Sequence, residues 1–203
     1  MIQKIIGFSG KKGSGKDTLA EFLYNNSFEL FGVEASLYSF AGPFKDICVS
    51  FFGLNKNQVY GTEDDKNTLT KYKWENLPHY NKDKMKTGYM TAREFLQEFG
   101  TGIARKMFPN IHIDACFSNI RKNKFALNFI TDVRFKNEVE EIQKHHGVVV
   151  RLTREVYSDS HISEIELDNN QNIFDIVLDN NKLNKQEQSI LLVEKLKQIG
   201  WIK

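Results

Sequence analysis

Ile5-Ile6-Gly7-Phe8-Ser9-Gly10-Lys11-Lys12-Gly13-Ser14-Gly15-Lys16-Asp17-Thr18 decides how this chain is read. The apolar run from Ile2 to Phe8 ends at Ser9-Gly10 and predicts a short buried strand. Thr18 to Tyr24 then predicts a helix, with Leu19, Phe22 and Leu23 on one face. Between them, Gly10 to Lys16 fits G-x-x-x-x-G-K, with Asp17 where Ser or Thr usually stands. Glycines let such a bend curl until successive N–H groups face inward on phosphate oxygens. The helix N-terminus adds partial positive charge. Gly13, Ser14, Gly15, Lys16, Asp17 and Thr18 are therefore the expected ATP-binding residues, with Lys16 as a cation on the β- and γ-phosphates. A glycine-rich turn that binds nothing is the competing reading, and a lysine at this position between strand and helix argues against it. Asp17 can hold Mg²⁺ directly or through water. It can equally be a first-turn acid that complements the helix dipole.

Working outward, strands alternate with helices. Ala35 to Phe40 predicts a second strand. Pro43 opens a helix carrying Phe44, Ile47, Cys48, Phe51 and Phe52. Lys56 to Tyr89 is long, polar and charged, and is expected to be a mobile or partly helical segment. Thr91 and Glu94 form a capping box ahead of Phe95, Leu96 and Phe99. A helix is predicted over Ile113 to Ile120. Ala126 to Thr131 predicts a central strand closed by Asp132, and Phe135 to His145 a helix stopped at Gly147. Val148 to Leu152 predicts another strand, Thr153 to Asn172 a lid-like stretch, Phe174 to Leu178 a last strand, and Asn184 with Glu187 the start of a final helix. This alternation implies an α/β fold with a parallel central sheet and helices on both faces. Ligands in such sheets bind beyond the strands' carboxyl ends, where Gly10, Asp132 and Thr153 fall.

Asp132 is the second chemical signal. An acid closing a buried strand beside a phosphate loop can orient water on Mg²⁺, although many strands end in an acid that only caps the next helix. Arg93, Arg105, Arg134, Arg151 and Arg154 flank the predicted loops. Guanidinium forks suit phosphate oxygens and charge spread over a transferring phosphoryl group. Any one of them is as readily a solvated surface arginine. His161, in Asp159-Ser160-His161-Ile162-Ser163-Glu164, opens a capped helix start more readily than it serves as a catalyst.

Composition narrows the classes. The formal net charge is +2 over 203 residues, which is no nucleic-acid footprint. No stretch approaches the ~20 apolar residues of a membrane span. The N-terminal apolar run is too short for a signal peptide. Cys48 and Cys116 sit in apolar surroundings and read as buried, reduced thiols. A cytoplasmic location is the expectation.

Five runs resemble a known family in order: Gly13 to Thr18; Phe40-Ala41-Gly42-Pro43-Phe44-Lys45-Asp46; Thr91-Ala92-Arg93-Glu94-Phe95-Leu96-Gln97 with Gly100-Thr101; Thr131-Asp132-Val133-Arg134-Phe135-Lys136-Asn137-Glu138; and His161 to Glu164. Over nearly its whole length the chain resembles the deoxynucleoside monophosphate kinases of tailed bacteriophages. The resemblance implies a three-layer P-loop NTPase fold of the adenylate-kinase kind. It implies one domain over 1–203, with an NMP-binding insertion at about 42–108 and a lid at about 153–172. The implied reaction is ATP + dNMP to ADP + dNDP with Mg²⁺, supplying DNA precursors. Lys12, Lys45, Arg93, Arg105 and Arg134 would hold the acceptor, with Phe40 and Ala41 close to it and Gln97 and Glu138 in the same set. Arg151 and Arg154 would begin the lid, Arg151 on the ATP side. Lys16, Asp132, Arg134 and Arg154 would be the catalytic set, with Asp17 and Asp132 as metal ligands. A homodimer is also implied, in the host cytoplasm if the gene is a phage's.

Other readings are weaker. A kinase of another small phosphorylated metabolite, such as phosphomevalonate, shares a similar Gly-Lys-Asp loop. A GTPase-like switch would carry Asn-Lys-x-Asp, and Asn81-Lys82-Asp83-Lys84 has lysine at its last position. A catalytically dead nucleotide-binding module is opposed by intact Lys16, Asp132 and Arg134.

Overall fold

A computed structural model describes residues 3–156, 161–168 and 170–202, the side chains of 164 and 171 excepted. The elements run β1 (Lys4–Ser9), α1 (Lys16–Asn25), α2 (Ser27–Phe31), β2 (Ala35–Tyr38), α3 (Gly42–Ser50), α4 (Lys56–Tyr60), α5 (Glu63–Lys66), β3 (Leu69–Lys73) and β4 (Tyr89–Thr91). They continue with α6 (Ala92–Gln97), α7 (Ile111–Asn123), β5 (Leu127–Val133), α8 (Lys136–Lys144), β6 (Val148–Leu152), α9 (Ile162–Ile165), β7 (Ile176–Leu178) and α10 (Lys185–Gln198). A π-helical stretch, Glu98–Arg105, extends α6. The chain divides into two compact units, Met1–Phe40 with Ile113–Lys203, and Ala41–His112.

The first unit holds the five-stranded sheet, in order β2-β5-β1-β6-β7, with every neighbouring pair parallel. Alternation along β1 explains the layers. Ile6 and Phe8 join Phe129, Val150 and Leu152 in one cluster, covered by Leu19 and Leu23 of α1 and Leu192 and Leu196 of α10. Ile5 joins Ile130 and Val149 in a second cluster, covered by Cys116 and Ile120 of α7 and Val139 and Ile142 of α8. The unit is thus a three-layer α/β sandwich, as expected. After β1 the chain moves to β2 and β5 on one side, then returns to β6 on the other. That reversal puts the switch point at the carboxyl end of β1, where open α/β sheets bind ligands.

Several strand boundaries differ from expectation: β1 runs on to Ser9, and β2 stops at Tyr38, short of Phe40. The last strand spans Ile176–Leu178, with Phe174 just before it. The central strand β5 runs on through Asp132 to Val133. Val133 is fully buried, so the apolar core continues past the acid. Gly7 pairs with Ile130 but Ser9 with Val133, so β5 carries one extra residue there. Such a bulge re-aims side chains beside it, and Asp132 lies within it. Asp132 Oδ1 accepts the backbone N–H of Phe40 at 2.6 Å. Phe40 in turn stacks on Phe117, with centroids 6.4 Å apart.

In the second unit Lys56 to Tyr89 is partly helical, one of the two forms expected, and it adds a strand pairing that was not expected. It folds as α4, α5 and an antiparallel β3–β4 hairpin. Local caps explain this. Asn55 N–H donates to Gln58 Oε1 at 3.0 Å, and Thr62 N–H to Asp65 Oδ2 at 2.8 Å. Val59 and Met90 anchor the segment in a core with Phe44, Cys48 and Phe95. Phe52 packs edge-on to Phe99 at 4.6 Å, and Tyr72 stacks on Phe95 at 4.8 Å. The Thr91–Glu94 capping box forms as predicted: Glu94 N–H donates to Thr91 Oγ1 at 3.2 Å, and Thr91 N–H to Glu94 Oε2 at 2.9 Å. Both cysteines are buried and free. Burial raises their thiol pKa values, that of Cys48 to about 12. Among the described residues no helix is long and apolar enough to cross a membrane.

Candidate functional site

The bend after β1 has the shape its sequence requires. Helix α1 starts at Lys16, two residues earlier than predicted, so the helix N-terminus lies inside the motif. Gly13 and Gly15 take φ values of +76° and +98°, conformations that cost other residues on the order of 1 kcal/mol or more. A Cβ on Gly10 would lie 2.5 Å from Ser14 Oγ, so a side chain there would close the bend. Among the described residues, the backbone N–H groups of Gly13 and Gly15 donate to no protein acceptor. Ser14 Oγ is buried and, among the described residues, has no hydrogen-bond partner. A buried polar atom without a partner costs ~1–3 kcal/mol, and a bound oxyanion relieves that cost.

Lys16 is 6 % exposed, and its Nζ lies 3.9 Å from Asp17 Oδ2. Asp17 itself faces solvent, and Thr18 beside it is half-buried. Inward amides, an unpartnered hydroxyl and a buried ammonium fit a polyphosphate. Among the described residues no group of three His, Cys, Asp or Glu could hold a metal by itself. Mg²⁺ needs no such cage, since it is commonly held by one or two carboxylates, water and substrate phosphates. As oxygen donors, the carboxylates of Asp17 and Asp132 would suit that role.

A buried polar network supports the bend. Asn180, fully buried, donates through Nδ2 to the Ser14 carbonyl at 2.7 Å and to Gln188 Oε1 at 2.9 Å. Its Oδ1 accepts the backbone N–H of Arg154 at 2.9 Å. The Arg154 guanidinium turns to the same loop, with Nη2 at 2.5 Å from the carbonyls of Asn180 and Leu183. Arg151 is 9 % exposed. It donates to Ser9 Oγ at 3.1 Å and to Asp168 Oδ1 at 2.9 Å. Asp168 also pairs with Lys11 at 3.0 Å, and Glu155 pairs with Lys11 at 2.8 Å. The hydrogen bonds it donates to Glu155 and Asp168 hold the Lys11 ammonium above its ordinary pKa, against burial. Burial lowers that of Arg151, against Asp168.

At the end of β5, Glu138 Oε2 accepts the N–H groups of Arg134 and Phe135 at 2.7 and 3.1 Å. Glu138 is 1 % exposed, so its carboxylate caps α8 and holds the Arg134 backbone. Arg134 and Lys12 are half-buried. His161 caps the four-residue helix α9, its Nδ1 2.7 Å from Ser163 Oγ. Asp159 and Ser160 lie outside the described residues, as does part of the 153–172 stretch.

The residues expected at the acceptor fall on both units. Lys12, Phe40, Arg134 and Glu138 belong to the first, and Ala41, Lys45, Gln97, Arg93 and Arg105 to the second. In the second unit, Ala41 precedes α3 as its N-cap. Lys45 Nζ lies 5.3 Å from the Tyr60 ring. The Tyr60 hydroxyl donates to Asp46 Oδ1 at 2.5 Å, and burial, with Asp46, raises its pKa. Arg93 is ion-paired with Glu63 and reaches Asn67 Oδ1 at 3.4 Å. Arg105 Nη1 donates to the Pro109 carbonyl at 3.4 Å. Gln97 closes α6, half-buried.

Sequence reasoning missed Asn180, Gln188, Lys11 and Asp168. Gln188 left a trace, because it interrupts the Leu192–Leu196 stripe of α10 at a four-residue step. Asn180, in Asp179-Asn180-Asn181, looks like any turn.

No protein-family model matches the chain. It is 34 % identical over 181 residues to a protein of Acanthamoeba polyphaga mimivirus named "Putative deoxynucleotide monophosphate kinase", covering 88 % of this chain and 89 % of that one. Among solved structures it is similar to a hexameric APS kinase from Thiobacillus denitrificans, at 13 % identity and a TM-score of 0.43. That match covers all of this chain but only 30 % of the other. It is also similar to a cysteine-to-alanine variant of an APS kinase from Mycobacterium tuberculosis, at 15 % identity and a TM-score of 0.40, covering 96 % and 97 % of the two chains. The fold rests on the strand order itself.

Proposed function

Because the chain belongs to the deoxynucleotide monophosphate kinase family of its mimivirus relative, we propose that it transfers the γ-phosphoryl group of ATP to a deoxynucleoside monophosphate, giving ADP and the diphosphate. The observation that carries this reading is the bend at Gly10–Lys16, where among the described residues the Gly13 and Gly15 amides have no protein acceptor and Lys16 is buried.

In this reading, Gly13, Gly15 and the orphan Ser14 hydroxyl hold the phosphate chain, and Lys16 neutralises charge on its terminal groups. Thr18 adds a hydroxyl at the α-phosphate. Asp17 and Asp132, with the substrate's phosphates, would hold Mg²⁺, which when bound would supply further charge neutralisation. Arg134 holds the acceptor phosphate from a backbone position set by Glu138. Lys12, Lys45, Arg93, Arg105 and Gln97 complete the acceptor set, with Phe40 and Ala41 against the nucleoside. The unit Ala41–His112 is assigned the acceptor-binding role and the 153–172 stretch that of the lid. Arg151 and Arg154 lie at the lid's start. An acceptor phosphate is anionic at neutral pH, so catalysis needs positioning and charge stabilisation more than a general base. The name of the mimivirus relative supports the choice of acceptor, and we infer a homodimer and a cytoplasmic setting from the resemblance of the five sequence runs to tailed-phage kinases.

A coupled ADP-release assay tests this. ATP is offered with each dNMP, each NMP and phosphomevalonate. The proposal expects turnover with at least one dNMP. Turnover with phosphomevalonate and none with any nucleotide would reject it.

A further inference from the structure

We propose that Asn180 is a positioning residue that sets the Ser14–Gly15 peptide in its phosphate-binding orientation. The inference rests on the bend being the polyphosphate site, and not on which acceptor is used.

In a trans peptide the carbonyl and the following N–H point in opposite directions. The Ser14 carbonyl is held at 2.7 Å by Asn180 Nδ2. The N–H of Gly15 therefore points away from Asn180, and among the described residues it has no acceptor. Turning this peptide over would set a carbonyl oxygen where the bend now offers a donor, and an oxygen repels a phosphate. Glycine makes the turnover accessible. With φ at +98° and no Cβ, Gly15 does little to resist it. The restraint has to come from outside the bend, and Asn180 supplies it.

Asn180 is itself fixed. It is fully buried, its second amide hydrogen goes to Gln188 Oε1 at 2.9 Å, and its Oδ1 receives Arg154 N–H at 2.9 Å. Gln188 is anchored by Nε2 on the Leu183 carbonyl at 2.9 Å. These partners assign the amide orientation: a reversed Asn180 would set its oxygen against the Ser14 carbonyl and its NH₂ against the Arg154 N–H. One side chain thus joins the bend, the exit of β6, the loop after β7 and α10.

The test is calorimetric titration of ATP into wild type, Asn180→Ala and Asn180→Asp, with melting temperatures of the nucleotide-free proteins. Asn180→Asp keeps the shape and the Arg154 contact but sets an oxygen against the Ser14 carbonyl, so it covers the case in which the alanine variant does not fold. The proposal expects ATP affinity to fall about tenfold or more in each folded variant, roughly the loss of one well-placed charged hydrogen bond. In turnover it expects KM for ATP to rise while KM for the acceptor holds. Either folded variant binding ATP as tightly as wild type, with only its melting temperature lowered, would overturn it. Wild type failing to bind ATP would remove the polyphosphate reading and this inference together, an outcome distinct from the first.

Discussion

Glu138 Oε2 accepts the backbone N–H of Arg134 at 2.7 Å, so the arginine proposed for the acceptor phosphate hangs from a peptide held by a buried carboxylate. Glu138→Ala removes that acceptor from two amides at the α8 start. We predict a loss of about 1–2 kcal/mol of stability, measured by urea unfolding. Turnover should fall while ATP affinity holds, since the proposal sets Glu138 on the acceptor side. A parallel loss of ATP binding would misplace it.

Lys16→Ala removes the ammonium from the bend without opening a large apolar cavity. Turnover should drop roughly 10³-fold, with the melting temperature nearly unchanged. Near-wild-type turnover would take Lys16 out of the mechanism.

Asp168 carries the charge balance of two cations, Lys11 at 3.0 Å and the buried Arg151 at 2.9 Å. Asp168→Asn keeps the shape and removes the charge. Breaking one side of a buried pair costs about 3 kcal/mol or more, and partial exposure of Asp168 lowers the expectation to about 2 kcal/mol. Double replacement with Arg151→Met should recover part of the loss in chemical denaturation. Additive losses would show that the pair is not coupled.

Glu94 gives a pH prediction. Burial alone would raise its pKa, but the Lys86 ammonium and the Thr91 amide outweigh it, and the group sits below its ordinary 4.5. A depressed carboxylate stabilises the fold above its unfolded pKa, and loses that contribution as pH falls through the folded value. Glu94→Gln should therefore be less stable than wild type at pH 7 by about 1 kcal/mol. The gap should close as pH falls below 4.5. A gap that widened in acid would reverse the sign of this argument.

Local pattern carried the parts of the fold that local physics controls. The β1–bend–α1 unit, the Thr91–Glu94 cap and the two faces of β1 were legible because strand alternation, glycine spacing and capping are short-range. The extension of β5 to Val133 was not, because a bulge belongs to the pairing of two strands and not to either alone. Lys56 to Tyr89 looked loose because its order comes from caps three residues long and a hairpin whose strands lie far apart in sequence. The bend's motif was legible, but its support was not. Ser14, Arg154, Asn180 and Gln188 meet only through the sheet topology, and Asn180 has the signature of an ordinary turn. Glu138 was visible in a motif, yet its position inside the α8 cap emerged only from the backbone.

The central claim is that the bend holds a triphosphate for transfer to an acceptor phosphate. Incubation with ATP labelled at the γ-phosphate, Mg²⁺ and the four dNMPs, followed by separation of products, tests it most directly. The account predicts label in one or more dNDPs, dependent on Lys16, with little released as inorganic phosphate. Label appearing only as inorganic phosphate, or remaining wholly in ATP with every dNMP, would contradict it.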